Sequence, residues 1–345
     1  MLKEKFGITK EGKEVSKYQL VNANGMKVVV TDYGATVISI FIKDKNGNLK
    51  DVVLGYDDLA SYERGSSYFG ATVGRYANRI SNAAITIDGV EYKLEANDGV
   101  NSLHSGSNGL SGKVWQVKEY TDNSIVFSIV SKDLEQGFPG NATIDLTYTV
   151  SEDNELIIKY NGVSDKATTF NMTNHSYFNL EGCSAGTVYD HDLWIKASRY
   201  TPVVPGSIPT GEIVAVDGTP FDFRQTKKIG QDINVENEQL ALGSGYDHNY
   251  AIDKTIEGVE LVATASAPLS GIKMDVLTDA VGIQLYTANF IAGNTGKGNT
   301  SYVNRGAFCL ETQYFPNSIN EPNFQRPVFA ADEVYNTTTI YKFYH

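Results

Sequence analysis

Alternation of apolar and polar residues is the feature that most restricts how this chain can fold. It is clearest in the segment 144–150, which reads IDLTYTV. A spacing of two places the apolar side chains on one face of a β-strand and the polar side chains on the other. Strand-like segments recur at 124–130, 193–197, 259–265, 272–277, 283–290 and 307–312, whereas helical spacing is scarce. The chain is therefore expected to consist of many short strands.

Turn signals between these segments fit the same interpretation. Asp88-Gly89 separates the strand-like runs 84–87 and 90–94, and this dipeptide predicts a two-residue hairpin of type I′. Residues 57–64 predict one short helix. Many short strands joined by turns favour an all-β fold, a large antiparallel β-sandwich with few short helices.

No linker, charge block or repeat interrupts the 345 residues. We therefore expect a single domain over residues 1–345, because all-β folds often reach this size as one unit. Hydrophobic residues make up 41% of the chain and charged residues 20%, as is typical of a globular protein.

Charge and cysteine content narrow the class of partner. The net charge of −12 and the lack of a basic run argue against nucleic acid or an anionic membrane, since both attract clustered Lys and Arg. No segment reaches the ~18 apolar residues of a membrane span, and the first residues lack the apolar stretch of a secretory signal. Cys183 and Cys309 have neither disulfide nor zinc spacing. A cytoplasmic protein with reduced thiols is expected, as a monomer or a homodimer.

The segment 171–180 is the first candidate for chemistry. It reads NMTNHSYFNL and surrounds His175 with amides, hydroxyls and aromatic rings. Such groups suit a pocket for a hydroxyl-rich ligand, because they donate and accept hydrogen bonds while a histidine gains or loses a proton near neutrality. A polar loop with an incidental histidine is the alternative.

Glu311 is the second candidate, because it interrupts the largely apolar segment 308–313, FCLETQ. A carboxylate there either reaches solvent or lies in a partly desolvated pocket, where its pKa rises and it becomes a better base. For Asp247 and Arg79 the sequence likewise leaves open whether each is a site residue or a surface charge.

The remaining histidines divide by their surroundings. His104 lies in a polar, turn-rich segment, whereas His191 and His345 are predicted to lie at the surface. No pair of histidines has the spacing of a metal site, so no metal is predicted. The G-x-S-x-G, GxGxxG and P-loop patterns are absent, so neither a serine nucleophile nor a nucleotide cofactor is indicated.

Taken together, seven segments in order along the chain resemble the galactose mutarotase (aldose 1-epimerase) family. They are GATVGRYANRI at 70–80, NSLH at 101–104, GFPG at 137–140, NHSYFNL at 174–180, FDFR at 221–224, YDH at 246–248 and LETQ at 310–313. The resemblance implies a large β-sandwich that interconverts the α and β anomers of galactose, glucose and similar aldoses without a cofactor.

The resemblance also implies roles for individual residues. Glu311 matches the general base of the family, His175 the general acid and His104 a second active-site imidazole. The positions that bind sugar hydroxyls or orient the catalytic groups match Asn78, Arg79, Tyr177, Asp247 and Gln284.

The chemistry of ring opening fits these assignments. Opening a pyranose requires a base to remove the proton of the C1 hydroxyl and an acid to protonate the ring oxygen O5. The C1–C2 bond then rotates, and closure on the other carbonyl face reverses both transfers. We expect a negative charge near His175, with Asp247 as the candidate, to raise the pKa of the imidazole and favour its acid form.

Three other functions stay open at this point. A non-catalytic carbohydrate-binding sandwich would need the polar and aromatic residues but no acid–base pair. A glycoside hydrolase would use two carboxylates, for which Glu311 and Asp247 are available. A hexose-6-phosphate 1-epimerase relative would need a cationic phosphate cluster, and the sequence offers no obvious one.

Overall fold

The strands nearest the N terminus form an antiparallel meander. The computed structural model describes residues 2–345. Each strand of this sheet pairs with the next one along the chain. The strands are β1 (Leu2–Ile8), β2 (Glu14–Val21), β3 (Lys27–Thr31), β4 (Thr36–Lys43) and β5 (Leu49–Asp51).

A short helix and several strand pairs follow. Helix α1 (Leu59–Arg64) confirms the helix predicted near residues 57–64, and the Asp58 carboxylate accepts the backbone N–H of Ser61 at its start. The strands are β6 (Thr72–Val73), β7 (Arg79–Ile80), β8 (Ala84–Ile87), β9 (Val90–Lys93) and β10 (Ser102–Leu103). The predicted hairpin is confirmed, since β8 pairs with β9 and both Asp88 and Gly89 have the positive φ that a type I′ turn requires.

Four consecutive strands follow, and the last three are long. They are β11 (Gln116–Tyr120), β12 (Ser124–Ser131), β13 (Ala142–Val150) and β14 (Glu155–Ser164). In β13 the apolar residues Ile144, Leu146 and Tyr148 are fully buried. The alternation at 144–150 therefore predicted the buried face of this strand correctly.

The next part of the chain contains short strands that connect the larger sheets. They are β15 (Thr168–Thr169), β16 (Thr173–Asn174), β17 (Asp192–Ile195), β18 (Arg199–Tyr200), β19 (Val203–Val204), β20 (Ile208–Pro209), β21 (Val214–Ala215) and β22 (Lys227–Lys228). Of these, β16 matters most for function, because it pairs with β6 and leads directly into His175.

The C-terminal part begins with helix α2 (Glu238–Gly243), which the sequence did not predict. The strands are β23 (Asp247–Ala251), β24 (Glu260–Ser266), β25 (Lys273–Thr278), β26 (Gly282–Tyr286), β27 (Cys309–Gln313), β28 (Val328–Phe329) and β29 (Tyr335–Tyr344). Single 3₁₀ turns occur at Ser81–Ala83, Leu110–Gly112, Glu135–Gly137 and Lys297–Asn299. The strand predicted at 283–290 ends at Tyr286, and Ala288 beyond it has a left-handed φ of 50°.

Two further sheets complete the fold. A nine-stranded sheet has the order β11-β12-β13-β14-β29-β25-β24-β17-β22, and a five-stranded sheet has the order β21-β18-β23-β26-β27. A continuous hydrophobic cluster joins these sheets to the N-terminal meander, with members such as Val30, Leu146, Leu285 and Tyr341. The predicted all-β, sandwich-like architecture with few short helices is thus confirmed.

Within residues 2–345, no helix is both long enough and apolar enough to cross a membrane.

Candidate active site

Three adjacent strands present a regular array of polar side chains on one face of the five-stranded sheet. Antiparallel partners point to the same face, as do residues two apart along a strand. The first row of partners is Asp247, Tyr286 and Cys309, and the second is Asn249, Gln284 and Glu311. The register of β23, β26 and β27 therefore brings Asp247 and Glu311 to one surface although the chain separates them widely.

Backbone hydrogen bonds position the two histidines opposite this face. The N–H of His175 donates to Ala71 and the carbonyl of His175 accepts from Gly70, both at 2.9 Å. His104 follows β10, which pairs with β7, and its N–H donates to the carbonyl of Asn78 at 3.0 Å. Both histidines are 5% exposed, so the local backbone holds their rings inside the protein.

These side chains surround a cavity of about 240 Å³. Since one water needs only about 10–15 Å³ of such volume, the cavity has space for a ligand of monosaccharide size. The lining residues are Ser66, Ser67, Tyr68, Asn78, Arg79, Leu103, His104, His175, Tyr177, Asp247, Tyr286, Phe290, Ile291 and Glu311.

His175 and Glu311 form the central contact of the cavity. Nε2 of His175 lies 3.6 Å from Oε2 of Glu311. The Glu311 side chain is 2% exposed, which excludes the solvent-facing alternative, and its Oε2 atom has no hydrogen-bond partner in the protein. An unpartnered carboxylate oxygen inside a cavity is suited to accept a hydrogen bond from a ligand hydroxyl.

Burial determines the protonation of this pair. It raises the pKa of Glu311 well above its ordinary range, and the nearby Asp247 raises it further. Burial also lowers the pKa of His175 to about 4. The expectation that Asp247 raises the pKa of His175 is wrong, because loss of solvent outweighs the attraction of any neighbouring carboxylate. Burial therefore shifts both groups toward their neutral forms, an uncharged imidazole and a protonated carboxyl.

A second group of charged and amide side chains forms one wall. Nε2 of Gln284 donates to Oδ1 of Asp247 at 2.7 Å. Arg79 donates from Nε to Oδ2 of Asp98 at 2.8 Å, and its Nη1 atom lies 3.9 Å from Oδ2 of Asp247. Asp98 thus holds Nε of the guanidinium, and because Arg79 lines the cavity its other donors are available to ligand hydroxyls.

His104 is held in one neutral form by its own hydrogen bond. The backbone N–H of Asn78 donates to Nδ1 of His104 at 3.1 Å, so the ring proton resides on Nε2. Burial lowers the pKa of His104 well below its usual value, and His175 and Arg79 lower it further. A neutral His104 can therefore donate one hydrogen bond to a ligand.

Two aromatic rings lie nearly parallel to the imidazole of His175. Tyr177 and Tyr68 stack on the imidazole with ring centroids 5.0 Å and 6.1 Å away. Tyr68 also contacts His104 edge to face at 4.7 Å. These contacts restrict the ring orientation of the two histidines.

Most of the predicted site residues meet at this cavity. Seven of the eight line it directly: Asn78, Arg79, His104, His175, Tyr177, Asp247 and Glu311. Gln284 is not part of the lining and acts through its hydrogen bond to Asp247. The prediction that His191 lies at the surface is wrong, because His191 is 1% exposed and its Nε2 accepts the backbone N–H of Leu180.

Sequence analysis missed the aromatic and thiol neighbours. Tyr286 and Cys309 had a usable signal, since each lies two residues from a predicted site residue on the same strand. No pattern indicated Tyr68, which lies outside the strands and has a left-handed φ of 55°.

Potential metal-ligating atoms of His175, Cys309 and Glu311 lie within 4.8 Å of one another. Burial raises the pKa of the Cys309 thiol well above its usual value. A metal requires the thiolate form of cysteine, so this group does not favour a metal ligand set, and we assign none.

Comparisons with known proteins agree with this geometry. A sequence model of the family described as Aldose 1-epimerase matches residues 16–342. The chain is 39% identical to a galactose mutarotase from Sus scrofa over 95% of this chain and 94% of that protein. It is 34% identical to an aldose 1-epimerase from Escherichia coli K12 over 99% of both chains.

Solved structures show the same similarity. A GalM/aldose epimerase homologue from C. elegans has a TM-score of 0.89 and 31% identity, with 96% of this chain and 99% of that chain covered. A galactose 1-epimerase from Lactobacillus acidophilus NCFM has a TM-score of 0.87 and 27% identity, with 99% and 98% covered.

Proposed function

The chain belongs to the aldose 1-epimerase family and is an isomerase that interconverts sugar anomers, and we propose that Glu311 and His175 carry out this reaction. The single observation that supports this assignment is the 3.6 Å approach of Nε2 and Oε2 inside the cavity. Because O1 and O5 of a pyranose are bonded to the same carbon, an acid and a base this close can reach both oxygens of one sugar.

In the proposed reaction, the carboxylate of Glu311 takes the proton of the C1 hydroxyl while His175 gives a proton to O5. The C1–O5 bond breaks and leaves an open-chain aldehyde, a neutral imidazole and a protonated Glu311. After rotation about C1–C2, the O5 hydroxyl attacks the other carbonyl face, His175 takes back its proton and Glu311 protonates O1. Both groups return to their starting forms, so no cofactor is needed.

Burial supports this division of labour. A carboxylate whose pKa is raised is a stronger base when ionised, and an imidazolium whose pKa is lowered is a stronger acid. The charged pair lies one proton transfer from the neutral pair. A bound sugar favours the charged form, because its C1 hydroxyl supplies the hydrogen bond that Oε2 of Glu311 lacks.

The remaining residues bind the sugar or position the groups that bind it in this proposal. Asp247, which Gln284 holds by a hydrogen bond, accepts from sugar hydroxyls, and Asn78, Arg79 and the Nε2–H of His104 donate to them. Tyr177 holds the face of His175. Galactose, which the names of two relatives carry, and glucose are the proposed substrates.

The alternative functions have less support. Arg79 is the only cationic residue in the described lining of the cavity, and it already contacts Asp98 and Asp247. A sugar phosphate would need additional positive charge. A non-catalytic binding protein would have no use for an acid and a base placed in direct contact.

We also propose a cytoplasmic enzyme that acts as a monomer or a homodimer. Cys183 and Cys309 are both free thiols, as is usual in a reducing compartment.

Polarimetry of freshly dissolved α-D-galactose tests the assignment. We expect Glu311→Gln and His175→Asn each to lower kcat by at least about 10²-fold, since each removes one proton-transfer group. Glu212→Gln and His345→Asn change exposed residues of the same types and should leave kcat unchanged.

Near-normal turnover in a folded Glu311→Gln or His175→Asn variant would remove that residue from the mechanism. If the unmodified protein is no faster than buffer, the carbohydrate-binding alternative gains support. Release of an aryl alcohol from aryl glycosides would instead support a hydrolase.

A further inference from the structure

Cys309 contacts the nitrogen of His175 that the proposed reaction leaves unused. Its Sγ atom lies 3.6 Å from Nδ1 of His175, while Nε2 of the same ring lies 3.6 Å from Glu311. Cys309 and Glu311 are two residues apart on β27 and so face the same side of the sheet. One strand therefore contacts both ring nitrogens of the histidine.

We infer that Cys309 is a positioning residue for His175, whose side chain hydrogen-bonds Nδ1 and thereby directs Nε2 toward Glu311 and the sugar. This inference rests on the proposed role of His175 as the acid. Cys309 touches neither the sugar nor the reacting atoms, because it is not part of the cavity lining.

The packing around Cys309 supports a fixed position. The residue is fully buried in a hydrophobic cluster that includes Leu54, Phe69, Tyr177 and Ala307. Tyr177 in turn stacks on the imidazole. A small side chain held by such packing has little freedom, so it can define the orientation of the ring that it contacts.

A thiol at Nδ1 also has a chemical consequence that a carboxylate would not have. A carboxylate at this nitrogen stabilises the imidazolium and makes it a weaker acid. A buried thiol stays neutral and is a weak hydrogen-bonding group, so it orients the ring without adding negative charge. His175 then remains a strong acid toward the weakly basic O5.

Other titratable groups also face His175, and they must be considered with Cys309. Glu311 contacts Nε2 from β27, and the ring of His104 lies 5.3 Å away. Arg79 and Asp247 share the cavity. The tyrosines around the ring are Tyr68, Tyr177 and Tyr286. No hydrogen bond from these side chains to Nδ1 is seen. Besides a hydrogen bond of the ring with the backbone of His175 itself, Cys309 is therefore the side chain that contacts this nitrogen among the described residues.

Two substitutions separate hydrogen bonding from packing. Cys309→Val keeps the packing of a small side chain but removes the hydrogen bond to Nδ1. We expect kcat to fall by about tenfold with KM nearly unchanged. Cys309→Ser retains a hydroxyl at this position and should recover most of kcat. Cys183→Val alters the other cysteine, which lies outside the cavity lining, and should have little effect on kcat.

The ¹⁵N chemical shifts of the His175 ring provide a second readout that does not depend on activity. We expect the Nδ1 shift of His175 to change in Cys309→Val, while the shifts of His104 stay as they are. Unchanged His175 shifts and unchanged kcat in folded Cys309→Val would overturn the inference. Equal losses of kcat in the Val and Ser variants would also overturn it, since packing alone would then explain the effect. An inactive unmodified protein with altered His175 shifts in Cys309→Val would contradict the proposed function but not the contact.

Discussion

His175 and Glu311 show how strongly burial can determine the behaviour of a side chain. In water at neutral pH a glutamate is charged and a histidine is charged in part, whereas burial shifts both side chains toward the neutral form. The same loss of solvent makes each a better proton-transfer group once it is charged. Sequence analysis named both residues but assigned the pKa of His175 the wrong direction, because the depth of a side chain is not visible in a local pattern.

The pH dependence of the reaction follows from this burial. His175 and Glu311 can react while one transferable proton is shared between Nε2 of His175 and the Glu311 carboxyl. When both groups are protonated no base is left, because neither can accept the proton of the C1 hydroxyl. Since the pKa of His175 is about 4, we expect kcat/KM to remain high as the pH falls from about 7 to about 5, and to fall only near the lower value.

Initial rates from polarimetry, corrected for buffer-catalysed mutarotation, measure this profile. Circular dichroism at each pH must show that the fold persists. A fall in kcat/KM centred near the ordinary histidine pKa of about 6.5 would contradict the expected effect of burial on His175.

Among the structural elements, the strands were easier to predict than the segments that join them. The alternation at 144–150 predicted β13, and the Asp88-Gly89 turn predicted the β8–β9 hairpin. Both predictions succeeded because each signal lies within the segment that it describes. Helix α2 and the buried environment of His191 were missed, since tertiary packing determines them. Local sequence named His175 and Glu311 as candidates, but only the family resemblance assembled the full set of cavity residues, because the register of β23, β26 and β27 cannot be read from any single segment.

Arg75 connects several of these elements and stands just before β7, which carries Arg79. It is 1% exposed and donates to the carbonyls of Ser131, Lys132, Pro139 and Gly140 and to the hydroxyls of Ser131 and Thr168. The guanidinium therefore joins the β12–β13 connection to β15.

We expect Arg75→Met to lower the free energy of unfolding by about 3 kcal/mol or more, because it leaves several buried carbonyl groups without donors. Urea denaturation measures this change. Arg224→Met is a matched control, since Arg224 pairs with Asp217 and Asp222 at the surface and should contribute little. Equal effects of the two substitutions would show that the buried network does not stabilise the fold.

Across the whole chain, four buried histidines make the fold sensitive to acid. Burial lowers the pKa of His104, His175, His191 and His248. In the unfolded chain each would take up a proton near pH 6.5. As the pH falls below that value, the unfolded state gains protons that the folded state does not, and stability declines. The raised pKa values of buried carboxyls such as Glu311 and Asp247 act in the opposite direction.

His191 allows this effect to be measured away from the cavity. Its pKa is lowered to about 4, so between about pH 7 and pH 5 it should account for about 2 kcal/mol of the loss in unfolding free energy. We expect His191→Gln to be less stable than the unmodified protein at pH 7 and to lose about that much less on acidification.

Urea denaturation at both pH values gives this difference. His345→Gln, which changes an exposed residue, should leave the pH dependence as it is. An identical slope for His191→Gln and the unmodified protein would show that this histidine is not responsible. The prediction of one domain over the whole chain stays a prediction; a single cooperative transition in the same experiment would support it.

The shared face of β23, β26 and β27 also makes turnover a reporter of correct assembly. If β27 slipped by one position against β26, Leu310 and Thr312 would replace Cys309 and Glu311 on the side that meets His175. A molecule with this shifted register can keep the strand content seen by circular dichroism and still lack catalytic activity. The activity recovered after refolding therefore measures the fraction of molecules with the correct strand register. Circular dichroism of the backbone does not measure this fraction.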